Sequence, residues 1–277
     1  MNTELQISGV SGQALADMMG LSTQNDNSNK QSSTLARLSI MHKSVMGDEE
    51  VKGKMTKIEV LPIGTFRLKV NDDFVYCIEP EIRIFAMKEQ WTHWDSINNV
   101  MDRTEMANNL YSDLKDTKGT FNIGRPSGYH SKIVFGTIKF NGAALDEQGN
   151  ELSGYNDEIP FILDIKNKDS IKALTDVLKQ IKDDSSVPIE AKLLKRSITL
   201  GSKIETVPQT YATILFSVKG EVDLKDEDTE TFGAFQEWIK WSDGFVLDKW
   251  KEHNTQELKG SDAELVEAFV DVEGVAV

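Results

Sequence analysis

From Leu35 onward, hydrophobic and polar residues alternate with a period of two, the spacing of half-buried strands. The alternation predicts strands over Thr56–Val60, Thr65–Val70 and Phe74–Met87. Pro62-Ile-Gly64 and Asn71-Asp-Asp73 separate them, two short turn signals that read as a meander. Within Thr65–Val70, Phe66, Leu68 and Val70 share one face, and Thr65, Arg67 and Lys69 share the other. Strands resume at Lys132–Phe140 and Ile159–Ile165, bracketing a polar hairpin loop around Glu147–Asp157. Ile189–Leu200 and Thr210–Val218 read as extended, with a hairpin at Gly201-Ser202. The period changes at Asp169–Lys182, where Ile171, Leu174, Val177, Leu178 and Ile181 form one helical stripe behind an Asp169 N-cap. Phe232–Trp250, carrying Phe235, Trp238, Ile239 and Trp241, predicts a helix packed on the body, and residues 104–115 a further one. Phe121 to His130, with two glycines and a proline, reads as an exposed loop.

Strands, then a helix, then more strands is the element order of an OB barrel. The fold expected is mainly β with peripheral helices: an elaborated OB-fold-like barrel or, alternatively, a β-sandwich with one packed helix. Residues 1–34 read as a flexible arm, because the run 21–34 (LSTQNDNSNKQSST) cannot bury enough apolar surface to offset ordering. Gly12 to Leu21 within it reads as a short apolar helix or a frayed tail. Residues 35–220 form the β-rich binding domain. Residues 221–259 join an acidic segment, with six acids and one Lys over Glu221–Glu230, to the packing helix. Residues 260–277 form an acidic tail in which Ser261 and Glu264 have capping-box spacing ahead of Leu265, Val266, Phe269 and Val270.

Charge refines this division. The formal net charge of the 277 residues is −14. Residues 51–140 hold 13 Lys/Arg against 11 Asp/Glu, or +2, whereas residues 141–277 hold 15 against 28, or −13. Such a body cannot bind a polyanion by bulk charge, although a local basic groove remains open to it. The single Cys77 excludes an intramolecular disulfide and a Cys-based zinc site, and fits a reducing compartment. No apolar run is long enough to span a membrane, and Met1 to Thr23 lacks the marks of a secretion signal. Walker, HExxH, GxSxG and CxxC motifs are missing, and His42, His93, His130 and His253 lie far apart. Gly124-Arg-Pro-Ser-Gly128 is glycine-rich, but Pro126 removes an amide that a phosphate cradle would use. The expectation is a protein that is not an enzyme and needs no metal or other cofactor.

Single strands are held by cations that follow phosphates and by aromatic faces on which bases stack. Residues 54–132 offer both: Lys54, Lys57, Arg67, Lys69, Arg83, Arg125 and Lys132 as cations, with Tyr76, Trp91, Trp94 and Tyr129 as stackers. The plainer alternative is that these aromatics are core and the cations an ordinary solvated face. Trp91 and Trp94 sit in a polar context, Gln90-Trp-Thr-His-Trp-Asp95, which favours the binding role.

In this plan, acidic overall, with a basic and aromatic β body and an acidic apolar-anchored tail, the chain resembles the single-stranded DNA-binding proteins of tailed phages. Leu35-Ala-Arg-Leu-Ser-Ile-Met-His-Lys-Ser-Val-Met46 and Leu61-Pro-Ile-Gly-Thr-Phe-Arg-Leu68 are also similar to replication-region proteins of marine tailed phages, over roughly residues 35–140. The resemblance implies a non-catalytic role in phage DNA replication or recombination, in the cytoplasm of the infected cell. It implies a tail that occupies the DNA groove and recruits replication proteins, here through Asp262, Glu264, Glu267, Asp271 and Glu273 with Phe269 as apolar anchor. Homo-oligomers fit this reading. The alternative of another class is a virion structural or assembly protein.

Overall fold

The computed structural model describes residues 35–51, 53–70, 73–95, 100–110, 128–183, 189–206 and 209–257. Eleven strands and three helices lie among them. Eight strands form one continuous path in the order β11(Tyr211–Glu221), β10(Arg196–Glu205), β6(Glu81–Asp95), β8(Gly128–Lys139), β9(Ile159–Ile165), β1(Ala36–Ile40), β4(Phe66–Val70) and β5(Asp73–Cys77), and β7(Val100–Arg103) pairs with β6 off this path. All pairings are antiparallel except the parallel β1–β9 pair. β2(Val45–Val51) and β3(Lys54–Leu61) make a separate two-stranded sheet. The fold is therefore mainly β, a sheet curled into a half-barrel with few helices, and longer in strands than the five of a simple OB barrel.

Alternation along the strands divides two apolar clusters. Inside the curl, Leu38, Phe66, Leu68, Val75, Ile82, Ile84, Val134, Ile138, Phe161 and Leu163 meet Leu174, Val177 and Ile181 of α1(Lys168–Asp183). The helical stripe read from the sequence is thus the plug of the barrel interior. Its cap is Asn167 rather than Asp169: the Asn167 Oδ1 accepts from the Asp169 and Ser170 amides at 2.8 and 3.1 Å. On the outer face, Leu35, Phe85, Phe135 and Ile162 receive Phe235, Trp238 and Ile239 from α3(Glu227–Glu257). A bulge between Ile84 and Ala86 in β6 adjusts the facing, so that Phe85 and Ala86 both join the outer cluster. Burying each large side chain of this cluster contributes about 1.5–3 kcal/mol.

Two close contacts hold the curl. Gly64, at φ 89°, occupies the position of the Pro62–Thr65 turn that needs a left-handed backbone, and a Cβ there would strike Ser202 of β10. The Ala212 amide of β11 donates to the His42 Nδ1 at 3.1 Å, so the turn region between β1 and β4 meets the far edge of the sheet.

Several local expectations change. β3 does not meander into β4; it pairs with β2, while β4 lies between β1 and β5. Phe74–Met87 is two strands, β5 and β6, broken at 78–80. The segment starting at Ile189 is helix α2(Ile189–Leu194), and β10 runs straight through Gly201-Ser202. Of 104–115, residues 104–109 are not helical: Ala107 bridges Glu89, and the Thr104 amide donates to the Trp91 carbonyl at 2.9 Å. The arm 1–34, residues 111–127 and the tail 258–277 lie outside the described residues.

Candidate nucleic-acid interface

The strand register gathers cations and one open ring on the outer face of β5, β4 and β1. Lys69 stands opposite Phe74 on one side and Arg37 on the other, and Arg37 stands opposite Ile162. One pair further along, Arg67 stands between Tyr76 and Ser39. Directly opposed residues share a face about 5 Å apart, so two parallel rows result. Phe74 is 39% exposed, and the Arg67 guanidinium lies 4.8 Å from its ring centroid. The Phe74 and Tyr76 rings are 6.5 Å apart. Arg37 and Lys69 are exposed and, like Arg67, have no carboxylate partner among the described residues. Segment 145–151 flanks this face: the Tyr76 amide donates to the Leu145 carbonyl at 2.9 Å, and the reverse bond is 2.8 Å. The patch can hold two or three phosphates and stack a base on Phe74.

Of the residues expected to bind strands, the structure brings Arg67, Lys69 and Tyr76 together. Tyr76 is buried under the flanking segment, and burial, with Glu147 nearby, pushes its hydroxyl pKa up. It supports Arg67 and offers no open face, which corrects its expected role as a stacker. Arg37 and Phe74 complete the patch and were missed by the sequence reading. Their signal was period two itself, because each sits opposite Lys69 once the strands are paired.

The remaining candidates lie elsewhere. Trp91 is only 6% exposed, so it is core and not a stacking platform, despite its polar sequence neighbours; its Nε1 has no hydrogen-bond partner among the described residues. Gln90 and Thr92 on either side of Trp91 are themselves buried, and the Gln90 Nε2 donates to the Thr104 carbonyl at 2.7 Å. Trp94 lies in β6 opposite Met101, and its side chain falls outside the described residues, as do Arg125 and the tail residues Asp262, Glu264, Glu267, Phe269, Asp271 and Glu273. Tyr129 is 54% exposed, but it lies six residues along β8 from Phe135, the position in line with Arg37, or about 20 Å away along the strand. Lys132 pairs with Glu89 at 3.1 Å. Glu89 also accepts from the Leu110 amide at 3.0 Å; burial works against its charge, but these bonds outweigh it and hold the carboxyl below its ordinary range. Lys54 and Lys57 sit on the β2–β3 hairpin, where Lys57 bonds Asp48 at 2.7 Å.

Arg83 is the clearest reassignment. It is 4% exposed on the outer face, with Asp228 of α3 at 2.7 Å, Glu158 at 3.2 Å and the Leu194 carbonyl at 3.2 Å. Thr137 and Lys225 complete the Glu158 environment at 2.6 and 3.1 Å. Burial opposes the Glu158 charge, but these donors and the Arg83 charge prevail and lower its pKa. This cluster ties the start of α3 to the sheet. Among the described residues, no group of His, Cys, Asp and Glu could hold a metal ion, and no helix is long and apolar enough to cross a membrane.

No family model, curated protein or solved structure matches this chain.

Proposed function

We propose that the protein is a non-catalytic single-stranded DNA-binding protein of the kind used in phage replication or recombination, with the outer face of β5, β4 and β1 as its strand contact. The observation that carries this reading is the two-row patch: Arg37, Arg67 and Lys69 without carboxylate partners among the described residues, beside an open Phe74. Cations placed a strand apart can follow a sugar–phosphate chain, and the ring supplies sequence-tolerant stacking. The acids of 260–277 would compete for the same patch.

The test is anisotropy of a labelled oligo-dT titrated with the full chain at low salt. Intrinsic tryptophan is a poor reporter, because Trp91 is buried away from the patch. Binding is expected, and Phe74→Ala should weaken it about 5- to 150-fold, the loss of one stacked base. An anisotropy that never rises at low salt overturns the reading. Assembly into particles without affinity for oligonucleotides would instead favour a virion role, a reading the exposed β2–β3 hairpin also accommodates.

A further inference from the structure

The β2–β3 hairpin touches the body at its base, where Val60 of β3 lies against Gly149, and its tip stands apart from the other described residues. Neither strand pairs with another among the described residues, and every side chain described from Asp48 to Lys57 is exposed. A lone two-stranded ribbon is marginal in water, and its open edges invite pairing with another chain. The register puts Met46, Asp48 and Glu50 of β2 on one face with Glu59, Lys57 and Met55 of β3. Met46 and Met55 on that face are 51% and 68% exposed.

The charges decide which partner fits. β2 carries Asp48, Glu49 and Glu50 and no base, while β3 carries Lys54 and Lys57 with Glu59. A polyanion would meet four carboxylates within this ribbon, so the hairpin does not extend the strand-binding patch. Placing β2 against β2 of another copy sets acids opposite acids, and β3 against β3 sets lysines opposite lysines; both are unfavourable. Only β2 against β3 sets Asp48, Glu49 and Glu50 opposite Lys54 and Lys57. The chain carries both halves of that complement.

We infer that the hairpin is a contact between copies of this chain, with β2 of one laid along β3 of the next. Backbone hydrogen bonds between the open edges supply the attraction, and the charges set the register and partner strand. The contact is heterologous: a dimer keeps one unused β2 edge on one copy and one unused β3 edge on the other, so association continues past the dimer. It stands on the hairpin alone and is independent of strand binding.

Sedimentation velocity of the full chain without nucleic acid, from low to hundreds of micromolar, tests it. The average mass should at least roughly double with concentration at low salt and fall back when salt is added. Replacing Asp48 to Lys57 by Asn-Gly joins Gly47 directly to its opposed residue Ile58 through a tight turn and removes the ribbon tip. That variant should remain monomeric with an unchanged melting temperature, since the described side chains of the tip are all exposed. Lys54→Glu/Lys57→Glu should likewise remain monomeric. A wild-type chain that is monomeric throughout overturns the inference, as does association that survives tip removal. Association of the charge-reversed variant equal to wild type overturns the β2-on-β3 pairing.

Discussion

Single side chains decide how firmly α3 is held to the sheet, and two of them can be read out separately. Arg83 leaves Glu158 and Asp228 without their shared cation when it is replaced. Breaking one side of a buried ion cluster costs about 3–5 kcal/mol, so Arg83→Met should lower stability by about 3 kcal/mol in urea unfolding. A loss under about 1 kcal/mol would mean that the cluster is solvated. Asp243 of α3 works the other way. Burial, then the Glu105 charge, pushes its carboxyl up to about 6, against the Met106 amide bond at 2.9 Å and the Lys88 charge. A raised carboxyl pKa favours the neutral form in the folded state, so its stability is fully present below the ordinary Asp range and is lost as pH rises through about 6. Asp243→Asn keeps an acceptor for Met106 and removes the charge. It should flatten the pH dependence across that window and, after allowing for water around the group, stabilise the chain by about 1 kcal/mol near pH 7.5. An unchanged stability-versus-pH curve would contradict this. Arg83 also marks a limit of reading residues singly: a cation in an apolar strand looks like a binding residue until the helix bearing Asp228, 145 positions later, is packed over it.

At the scale of elements, periodicity carried far and pairing did not. The 3.6-residue stripe of α1 and the apolar runs of β8 and β9 were legible, because burial of one face is written into each segment alone. Which strand lies beside which is set by contacts distant in sequence, and there the meander through β3 and the hairpin at Gly201 gave way. The proposed binding patch was half legible for the same reason: Arg67 and Lys69 share a face within one strand, whereas Arg37 and Phe74 join them only across strands. A test of such cross-element contact is Ser170. Its Oγ accepts the Ile214 amide at 2.9 Å, blunting the outer edge of β11 from the first turn of α1. Ser170→Ala leaves that buried amide unpaired and should cost about 1–3 kcal/mol. Amide hydrogen exchange at Ile214 should accelerate along with the loss, more than at Leu163 in the distant β9. Equal acceleration at both positions would show a global effect and reject the edge-capping role.

For the whole molecule, the decisive quantity is the disparity between a net charge of −14 and a patch of three cations, Arg37, Arg67 and Lys69. Strand binding releases condensed ions in proportion to phosphates neutralised, with a slope of about −0.7 per contact for single strands. Three contacts give a slope of log affinity against log salt of about −2. A slope beyond about −4 in the full chain would mean that cations outside the patch dominate. Residues 260–277 carry five acids, Asp262, Glu264, Glu267, Asp271 and Glu273, and no base. If they occupy the patch when DNA is absent, their own attachment also strengthens as salt falls, so it offsets part of the gain that DNA would make. Removing 260–277 should therefore tighten oligo-dT binding most at low salt, steepen the slope and leave affinity at high salt unchanged. Titrations of the truncated and full chains across salt separate the cases: a uniform loss of affinity on truncation means that the segment supports the fold or the interface, whereas coincident curves mean that the acids never reach the patch.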